Sequence, residues 1–264
     1  MLFFKQVSAA LLAVAVATAS AAGSVVSKEV SVALSGKPTG RVVKYGGESL
    51  YVSLPFTKMR PEVGVLFLTD IFGIQNLDNK LVVDSFARAG YAVVAPDLFR
   101  GKPAPEDTST PGFNLTQFIA NNSNTVVDPI IDVGIEYLAE KLGVETTATA
   151  GYCFGGRHAF RVLNGKRGVD IGFVAHPSFA TNDEIRAVVS PVTLATASHD
   201  AIFPLTSKLE AETILANKTI PFSTSLYSGV EHGFAIQANA SIPQQRVAKQ
   251  EAFLQAVRFF KTWI

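Results

Sequence analysis

The one cysteine of this 264-residue chain lies in a glycine-framed segment, residues 151–156. Gly151 stands two positions before Cys153, and Gly155 stands two positions after it. This spacing is typical of a nucleophile elbow, a turn so tight that a Cβ at either flanking position would collide with neighbouring backbone. A lone free cysteine is most often a small buried hydrophobic residue, but the glycine frame favours a thiol nucleophile. The predicted helix that follows would stabilise a thiolate through its dipole.

A nucleophilic cysteine needs a base and a carboxylate that orients that base. Asp200 and His232 follow Cys153 along the chain, each just beyond a segment predicted to be a strand. Nucleophile, acid and base occur in this order in α/β-hydrolases, and open α/β sheets bind ligands at the carboxyl ends of their strands. We therefore predict a catalytic triad of Cys153, Asp200 and His232.

The remaining ionisable residues of this kind are weaker candidates. Glu231 could serve as the acid, but it is adjacent to the base and would have to reach the far ring nitrogen. His158 falls inside the predicted helix after the elbow, His176 ends a predicted strand, and His199 is adjacent to the acid. We expect these three histidines to be structural, with His176 lining the floor of the site.

An oxyanion that forms during acyl transfer needs two backbone N–H donors. We predict one donor at Phe154, the residue after the nucleophile, and the other at Ile71, in the loop after an early buried strand. Asp70 precedes Ile71, and the pattern favours equally a role in lining the site and a simple strand cap.

Short apolar runs alternate with amphipathic segments along most of the chain, which calls for parallel βαβ units with helices on both faces of a sheet. We predict a single-domain α/β-hydrolase fold with a doubly wound, mostly parallel sheet over residues 23–264. Two early β-rich runs, residues 41–45 and 50–54, are predicted to form a hairpin. The further predicted strands are 63–69, 91–95, 144–150, 169–175, 191–197 and 222–227, and the predicted helices are 79–89, 128–142, 155–163, 205–216 and 248–263.

The composition excludes several classes of protein. Apolar residues make up 48% of the chain and charged residues 17%, so the chain can bury enough surface to offset the entropy of ordering. The net charge of +1 supplies no basic surface for nucleic acid, and a single cysteine excludes an internal disulfide framework. We expect no metal or cofactor, because no histidine spacing matches a zinc site and no glycine-rich loop has the dinucleotide or P-loop form.

Residues 1–22 are predicted to be a signal peptide, with Lys5 at its positive start and small residues before the cleavage site. The apolar stretch is short for a membrane span, so we expect a secreted protein without membrane attachment after cleavage. The N-x-S/T sequons agree with secretion, and they begin at Asn114, Asn121, Asn217 and Asn239. Two of them fall in residues 101–124, which we expect to form a surface excursion near the mouth of the site.

Five short motifs occur in one order along the chain: Asp70-Ile-Phe-Gly, Ala95-Pro-Asp-Leu-Phe, Gly151-Tyr-Cys-Phe-Gly-Gly, Ala175-His-Pro and His232-Gly-Phe. With these motifs the chain resembles the dienelactone hydrolase family, in its secreted fungal-type form, over about residues 40–262. The resemblance implies the same Cys–Asp–His triad and the hydrolysis of enol-lactones such as dienelactone through a thioester.

The chain departs from the family at the residues that meet the substrate. The best-known members have a glutamate where Asp70 stands here, and it interacts with the resting thiol. Bacterial members hold the lactone carboxylate with two arginines. Arg100 is near the position of the first, whereas Ile236 and Gln237 occupy that of the second. A neutral ester, a lactone or another small acyl compound is therefore as good a substrate prediction as dienelactone.

Two other functions stay open at this point. A non-catalytic secreted binding protein on the same fold agrees with the missing arginine and with the shorter acid at Asp70. A redox-active thiol is a further alternative, but the chain has no second cysteine that could resolve an oxidised one. The sequence carries no signal of oligomeric state.

Overall fold

A computed structural model describes residues 30–56 and 61–264. These residues form an eight-stranded sheet with helices packed on both faces. The single-domain, mostly parallel α/β fold predicted from the sequence is confirmed. The predicted signal peptide, residues 1–22, lies outside the described residues.

The sheet has the strand order β1-β2-β4-β3-β5-β6-β7-β8. β1 pairs antiparallel with β2, and β2 pairs antiparallel with β4, whereas all other neighbours are parallel. Six successive parallel strands, from β4 to β8 in the sheet order, therefore bring their carboxyl ends to one edge of the sheet. The strands are β1 Arg41–Tyr45, β2 Glu48–Ser53, β3 Val63–Leu68, β4 Ala92–Pro96, β5 Thr146–Tyr152, β6 Ile171–Ala175, β7 Val192–His199 and β8 Phe222–Glu231.

Seven α-helices cover the sheet along the part of the chain that the structure describes: α1 Leu77–Arg88, α2 Leu115–Asn121, α3 Asn124–Glu136, α4 Phe154–Val162, α5 Asn182–Arg186, α6 Leu205–Ala216 and α7 Pro243–Trp263. α1 and α7 pack in the core on one face, and α3, α4 and α6 pack in the core on the other. Successive residues of β3 supply the two cores in turn: Val65 and Phe67 enter the first, Leu66 and Leu68 the second. This alternation explains why β3 appears in the sequence as one continuous apolar run.

The structure differs from the prediction mainly where no apolar stripe marks a helix. α2 lies in the 101–124 excursion and has no buried residue, so its sequence lacks helical periodicity; Asn114 starts it by accepting a hydrogen bond from the Gln117 amide. α5 has only five residues and begins with a capping box between Thr181 and Glu184. The helix predicted at 128–142 is α3, which begins at Asn124, followed by a π-helical turn at Tyr137–Leu142.

The connection from β5 to α4 is the tightest feature of the fold. A Cβ on Gly155 would lie 2.1 Å from the Leu68 carbonyl oxygen, and a Cβ on Gly151 would lie 2.4 Å from the Gly155 carbonyl oxygen. Both obstacles are backbone atoms, so neither can swing aside. The glycine frame inferred from the sequence is therefore a steric requirement for packing the start of α4 against β3 and β5.

The substitution Gly155→Ala tests this requirement. We expect it to lower the free energy of unfolding by about 3 kcal/mol or more, because the added methyl forces α4 away from β3. Gly168→Ala is the matched control: φ is +65° there, and nothing lies within 4 Å of the added Cβ, so only the backbone strain of about 1 kcal/mol is expected. Urea unfolding of both variants measures the difference, and equal losses would contradict the steric explanation.

Candidate active site

Cys153 lies between β5 and α4 with φ 52° and ψ −114°, a conformation that is strained for a residue with a side chain. Its amide donates to the Ala175 carbonyl oxygen at 3.1 Å, and the Gly155 amide donates to the Thr69 carbonyl oxygen at 2.9 Å. The elbow is thus tied to the ends of both neighbouring strands. Only 8% of Cys153 is exposed.

His232 and Asp200, which the sequence predicts to be the base and the acid, lie in hydrogen-bond contact. The Nδ1 atom of His232 lies 2.9 and 3.0 Å from the two carboxylate oxygens of Asp200. The amides of Ile202 and Phe203 both donate to Asp200 Oδ1 at 2.8 Å, and these two hydrogen bonds fix the orientation of the carboxylate. Burial opposes the negative charge, but the hydrogen bonds from His232 and from these amides hold the pKa of Asp200 below its usual value.

The electrostatic environment of His232 favours the protonated ring. Burial by itself opposes the positive charge, but the Asp200 carboxylate and the sulfur of Cys153 outweigh it and raise the pKa of His232 to about 9. An imidazolium next to sulfur stabilises the thiolate, which is the nucleophilic form of cysteine.

Ser178, which the sequence analysis missed, joins the two halves of the site. Its Oγ lies 3.2 Å from Cys153 Sγ and 3.1 Å from His232 Nε2. Ser178 follows the Ala175-His-Pro motif at the carboxyl end of β6, which is the strand next to β5. The position of this loop was a usable signal, although the sequence pattern favoured His176 for the site-lining role in it.

His176, which the sequence led us to expect as the lining of the site floor, packs against the ring of His232. The two rings meet edge to face with centroids 5.1 Å apart, and the Phe234 ring is 5.4 Å away on another side. Complete burial, together with the charge on His232, lowers the pKa of His176 well below its usual value. The ring is therefore neutral and presents an uncharged support to His232.

Of the two predicted oxyanion donors, Phe154 directly follows Cys153, and Ile71 lies two residues after Thr69, whose carbonyl oxygen accepts from the Gly155 amide. Phe154 is the first residue of α4, so its amide belongs to the unpaired first turn of the helix. Ile71 lies in the loop after β3, which a hydrogen bond from the Ala104 amide to the Ile71 carbonyl holds in place. Within residues 30–56 and 61–264, neither amide has a hydrogen-bond acceptor.

Asp70 is buried, and it interacts with the charge on His232. Its Oδ1 accepts from Asn79 Nδ2 at 2.7 Å and from the Phe72 amide at 3.0 Å. Burial raises the pKa of Asp70 to about 6, although both hydrogen bonds act in the opposite direction. Asp70 therefore combines the two roles left open by the sequence: it caps the turn after β3, and it brings a second titratable carboxyl to the site. Its partner Asn79, on α1, had no sequence signal.

The guanidinium of Arg100 is bound to another side chain. Its Nε and Nη2 atoms donate to the Glu48 carboxylate of β2 at 2.7 to 3.2 Å, in an exposed ion pair. The position of the second arginine of bacterial members also carries no positive charge, since Ile236 is part of the core and Gln237 is an exposed amide. Neither of these two arginine positions therefore presents an unpaired cation in this protein.

The alternative candidates for the acid and the base lie in other surroundings. Glu231 and His199 are exposed at the ends of β8 and β7. His158 is buried in α4 and lies 3.6 Å from Asp128 of α3, in an ion-pair network that also includes Arg161. This network anchors the elbow helix to α3, so His158 has a structural setting.

The 101–124 excursion is connected to the elbow through aromatic rings. Phe154 packs on Phe99 with centroids 5.3 Å apart, Phe99 on Phe118 of α2 at 5.0 Å, and Phe118 on Phe113 at 5.7 Å. We call these four residues the aromatic series. They place the excursion on the elbow side of the molecule and make that side apolar.

The model of the dienelactone hydrolase family matches residues 50–264. The chain belongs to this family. The family resemblance inferred from the five motifs is therefore confirmed, and with it a hydrolase of the dienelactone hydrolase type. The matched residues include Cys153, Ser178, Asp200 and His232.

Curated relatives of the family occur in fungi. Hydrolase pyvD of Aspergillus violaceofuscus is 37% identical over 87% of this chain and 92% of its own length. Hydrolase tropI of Talaromyces stipitatus is 34% identical over the same shares. Dienlactone hydrolase 1 of Gibberella moniliformis is 26% identical over 87% of this chain and 90% of its own length.

Solved structures of family members share the fold. A dienelactone hydrolase-like promiscuous phosphotriesterase from metagenomic libraries superposes with a TM-score of 0.71 at 16% identity, covering 86% of this chain and 99% of that one. A dienelactone hydrolase from Anabaena variabilis gives a TM-score of 0.62 at 14% identity, covering 87% and 100%.

Two further properties of this dienelactone hydrolase family member come from the described residues. In residues 30–56 and 61–264, no cluster of three or more His, Cys, Asp or Glu side chains could hold a metal ion. In the same ranges, no helix has the length and hydropathy of a membrane span.

The raised pKa of His232 makes the folding stability depend on pH. The ring has a pKa of about 9 in the folded protein and about 6.5 when unfolded, so its contribution is complete below about pH 6.5 and is lost as the pH rises through 9. We expect Asp200→Asn to lower the pKa of His232 toward its ordinary range and to flatten this pH dependence. Titration of the ring proton resonances by NMR measures the pKa directly.

The control for this experiment is His199→Gln. His199 is exposed and adjacent to Asp200, so the variant removes one histidine resonance and leaves the His232 titration unchanged. An unaltered His232 titration in Asp200→Asn would show that the carboxylate does not set the charge of the ring.

Proposed function

We propose that the protein is a secreted hydrolase of small, uncharged carboxylic esters or lactones, with Cys153 as its nucleophile. The observation that carries the proposal is the continuous polar chain from Asp200 through His232 and Ser178 to the thiol. That chain ends at the N-terminus of α4, where the Phe154 amide is unpaired. A nucleophile linked to a base and placed beside such a donor is suited to acyl transfer.

Acylation follows from this arrangement. The Cys153 thiolate attacks the carbonyl carbon, a C–S bond forms, and the carbonyl electron pair moves to oxygen. The amides of Ile71 and Phe154 stabilise this oxyanion. When it collapses, the C–O bond breaks and the leaving oxygen takes its proton from His232, leaving a thioester on Cys153.

Deacylation uses the same imidazole in the opposite sense. Part of the high pKa of His232 comes from the sulfur of Cys153, and the thioester sulfur carries no charge. The pKa of His232 therefore falls in the acyl-enzyme, and the neutral ring can accept a proton from water. The resulting hydroxide attacks the thioester, the C–S bond breaks, and the thiolate is restored.

The surroundings of the site favour a substrate without a carboxylate. Arg100 is paired with Glu48, and the buried Ile236 occupies the position of the second arginine of bacterial members. An anionic substrate would also approach two carboxyl groups, Asp70 and Asp200, and the charge of the His232 ring is already paired with Asp200. Phe113 and Phe118, the outer members of the aromatic series, are partly exposed on the elbow side, and such apolar surface suits the hydrocarbon part of an ester or lactone.

The substitution Cys153→Ala tests the catalytic function. We expect the kcat for p-nitrophenyl acetate to fall by about four orders of magnitude or more, since the acyl transfer route is removed. The control is Ser228→Ala, which replaces an exposed polar side chain on β8 and should retain full activity. Dienelactone, which carries a carboxylate, should be hydrolysed with a lower kcat/KM than the neutral ester.

Acid quenching followed by mass spectrometry identifies the intermediate. The chain has one cysteine, so an acetyl group bound as a thioester in the wild type and absent in Cys153→Ala would locate it. Hydrolysis no faster than in buffer for both proteins would contradict the enzyme and leave the binding protein as the function. Equal rates that exceed the rate in buffer would contradict Cys153 as the nucleophile.

The secreted location rests on the predicted signal peptide and on the sequons. The asparagines of all four sequons are exposed, so each is accessible for glycosylation: Asn114, Asn121, Asn217 and Asn239. We expect protein from its native source to begin near residue 23 and to lose mass on treatment with an endoglycosidase. An intact N-terminus together with an unchanged mass would contradict secretion.

A further inference from the structure

Ser178 is enclosed between the nucleophile and the base. Its side-chain oxygen contacts Cys153 Sγ at 3.2 Å and His232 Nε2 at 3.1 Å, and 2% of the residue is exposed. Its backbone amide donates to the Cys153 carbonyl oxygen at 2.9 Å. The residue therefore moves together with the elbow, and both polar neighbours of its hydroxyl are members of the triad.

The backbone around Ser178 is strained on both sides. In residues 30–56 and 61–264, four residues other than glycine have a positive φ, and His176 at 34° and Phe179 at 56° are two of them. Each such conformation costs on the order of 1 kcal/mol or more. Strain of this kind clusters at functional sites, where it holds a group in a required position.

A hydroxyl is suited to this position because it donates one hydrogen bond and accepts others. Facing a thiol and a neutral imidazole, it accepts from S–H and donates to Nε2. Facing a thiolate and an imidazolium, it donates to S⁻ and accepts from Nε2–H. Alanine at this position could do neither.

We propose that Ser178 is a fourth catalytic residue, which relays the proton from Cys153 to His232 and then donates a hydrogen bond to the thiolate. The S–H bond of Cys153 breaks as its proton moves to Ser178 Oγ, and the former hydroxyl proton forms the new N–H bond on His232 Nε2. The serine ends unchanged, the sulfur carries the negative charge, and the ring carries the positive charge. The inference rests on the proposed function, since it assigns the step that prepares its nucleophile.

Other titratable groups face the same pair, and they stay in place when Ser178 is altered. Asp200 bonds to the far nitrogen of His232, Asp70 interacts with its charge, and His176 packs against its ring. A change in thiol reactivity caused by replacing Ser178 alone therefore reports the hydroxyl.

The test measures how fast iodoacetamide alkylates the thiol between pH 5.5 and 10 in the wild type, Ser178→Ala and Ser178→Thr. Cys153 is the single cysteine, so the label reports one site, and Cys153→Ala gives the background. Near pH 6.5 we expect alkylation of Ser178→Ala to be about 10- to 100-fold slower, which is the contribution of a hydrogen bond to a charged group. At pH 10 the rates should converge, because bulk base then forms the thiolate.

Ser178→Thr retains the hydroxyl and should recover much of the reactivity at pH 6.5. Thermal unfolding of each variant shows whether the added methyl or the lost hydroxyl disturbs the fold; if the threonine variant does not fold, the alanine variant decides. An alkylation profile of folded Ser178→Ala that matches the wild type across the pH range would overturn the proposal.

The alkylation assay needs no substrate, so it separates the relay from the proposed function. A wild type that hydrolyses no ester, but whose alkylation at pH 6.5 depends on Ser178, would contradict the enzyme and retain the proton relay. Ester hydrolysis that survives in Cys153→Ala and is lost in Ser178→Ala would overturn the relay, because Ser178 would then be the nucleophile on the same His232 and Asp200.

Discussion

The close approach of α4 to the end of β3 is the constraint on which the rest of the site depends. The position of Gly155 against the Leu68 carbonyl leaves no space for a side chain, and it forces the chain to turn sharply between β5 and α4. The turn gives Cys153 its positive φ. One backbone contact thus positions the proposed nucleophile at the start of α4.

The chemistry of the site follows from placing a polar chain in apolar surroundings. In such an environment hydrogen bonds between charged groups are strengthened, and an unpaired charge becomes costly. The pKa of His232 rises to about 9 because Asp200 and the sulfur outweigh its burial, whereas the pKa of Asp70 rises to about 6 because burial outweighs its hydrogen bonds. At each residue, the balance between burial and the neighbouring charges and hydrogen bonds sets the pKa and hence the protonation state.

The chain shares the fold of its family. Its elbow, sheet order and acid–base pair are common features of the α/β-hydrolase architecture, so they carry little information about the substrate. Outside these residues, Arg100 is paired with Glu48, and the aromatic series links the elbow to α2. The proposed preference for an uncharged substrate therefore rests on these surroundings and not on the fold.

The sequence by itself determined the fold class and the residues at the strand ends, because both depend on local patterns. A continuous apolar run marks a buried strand wherever it lies, and the glycine frame identifies Cys153 without any distant contact. The hydrogen bond of Asn79 to Asp70, the pairing of Arg100 and the bridge at Ser178 were decided by the tertiary structure alone. Each depends on a distance between segments that the packing of helices on the sheet brings together, and no spacing along the chain encodes that distance.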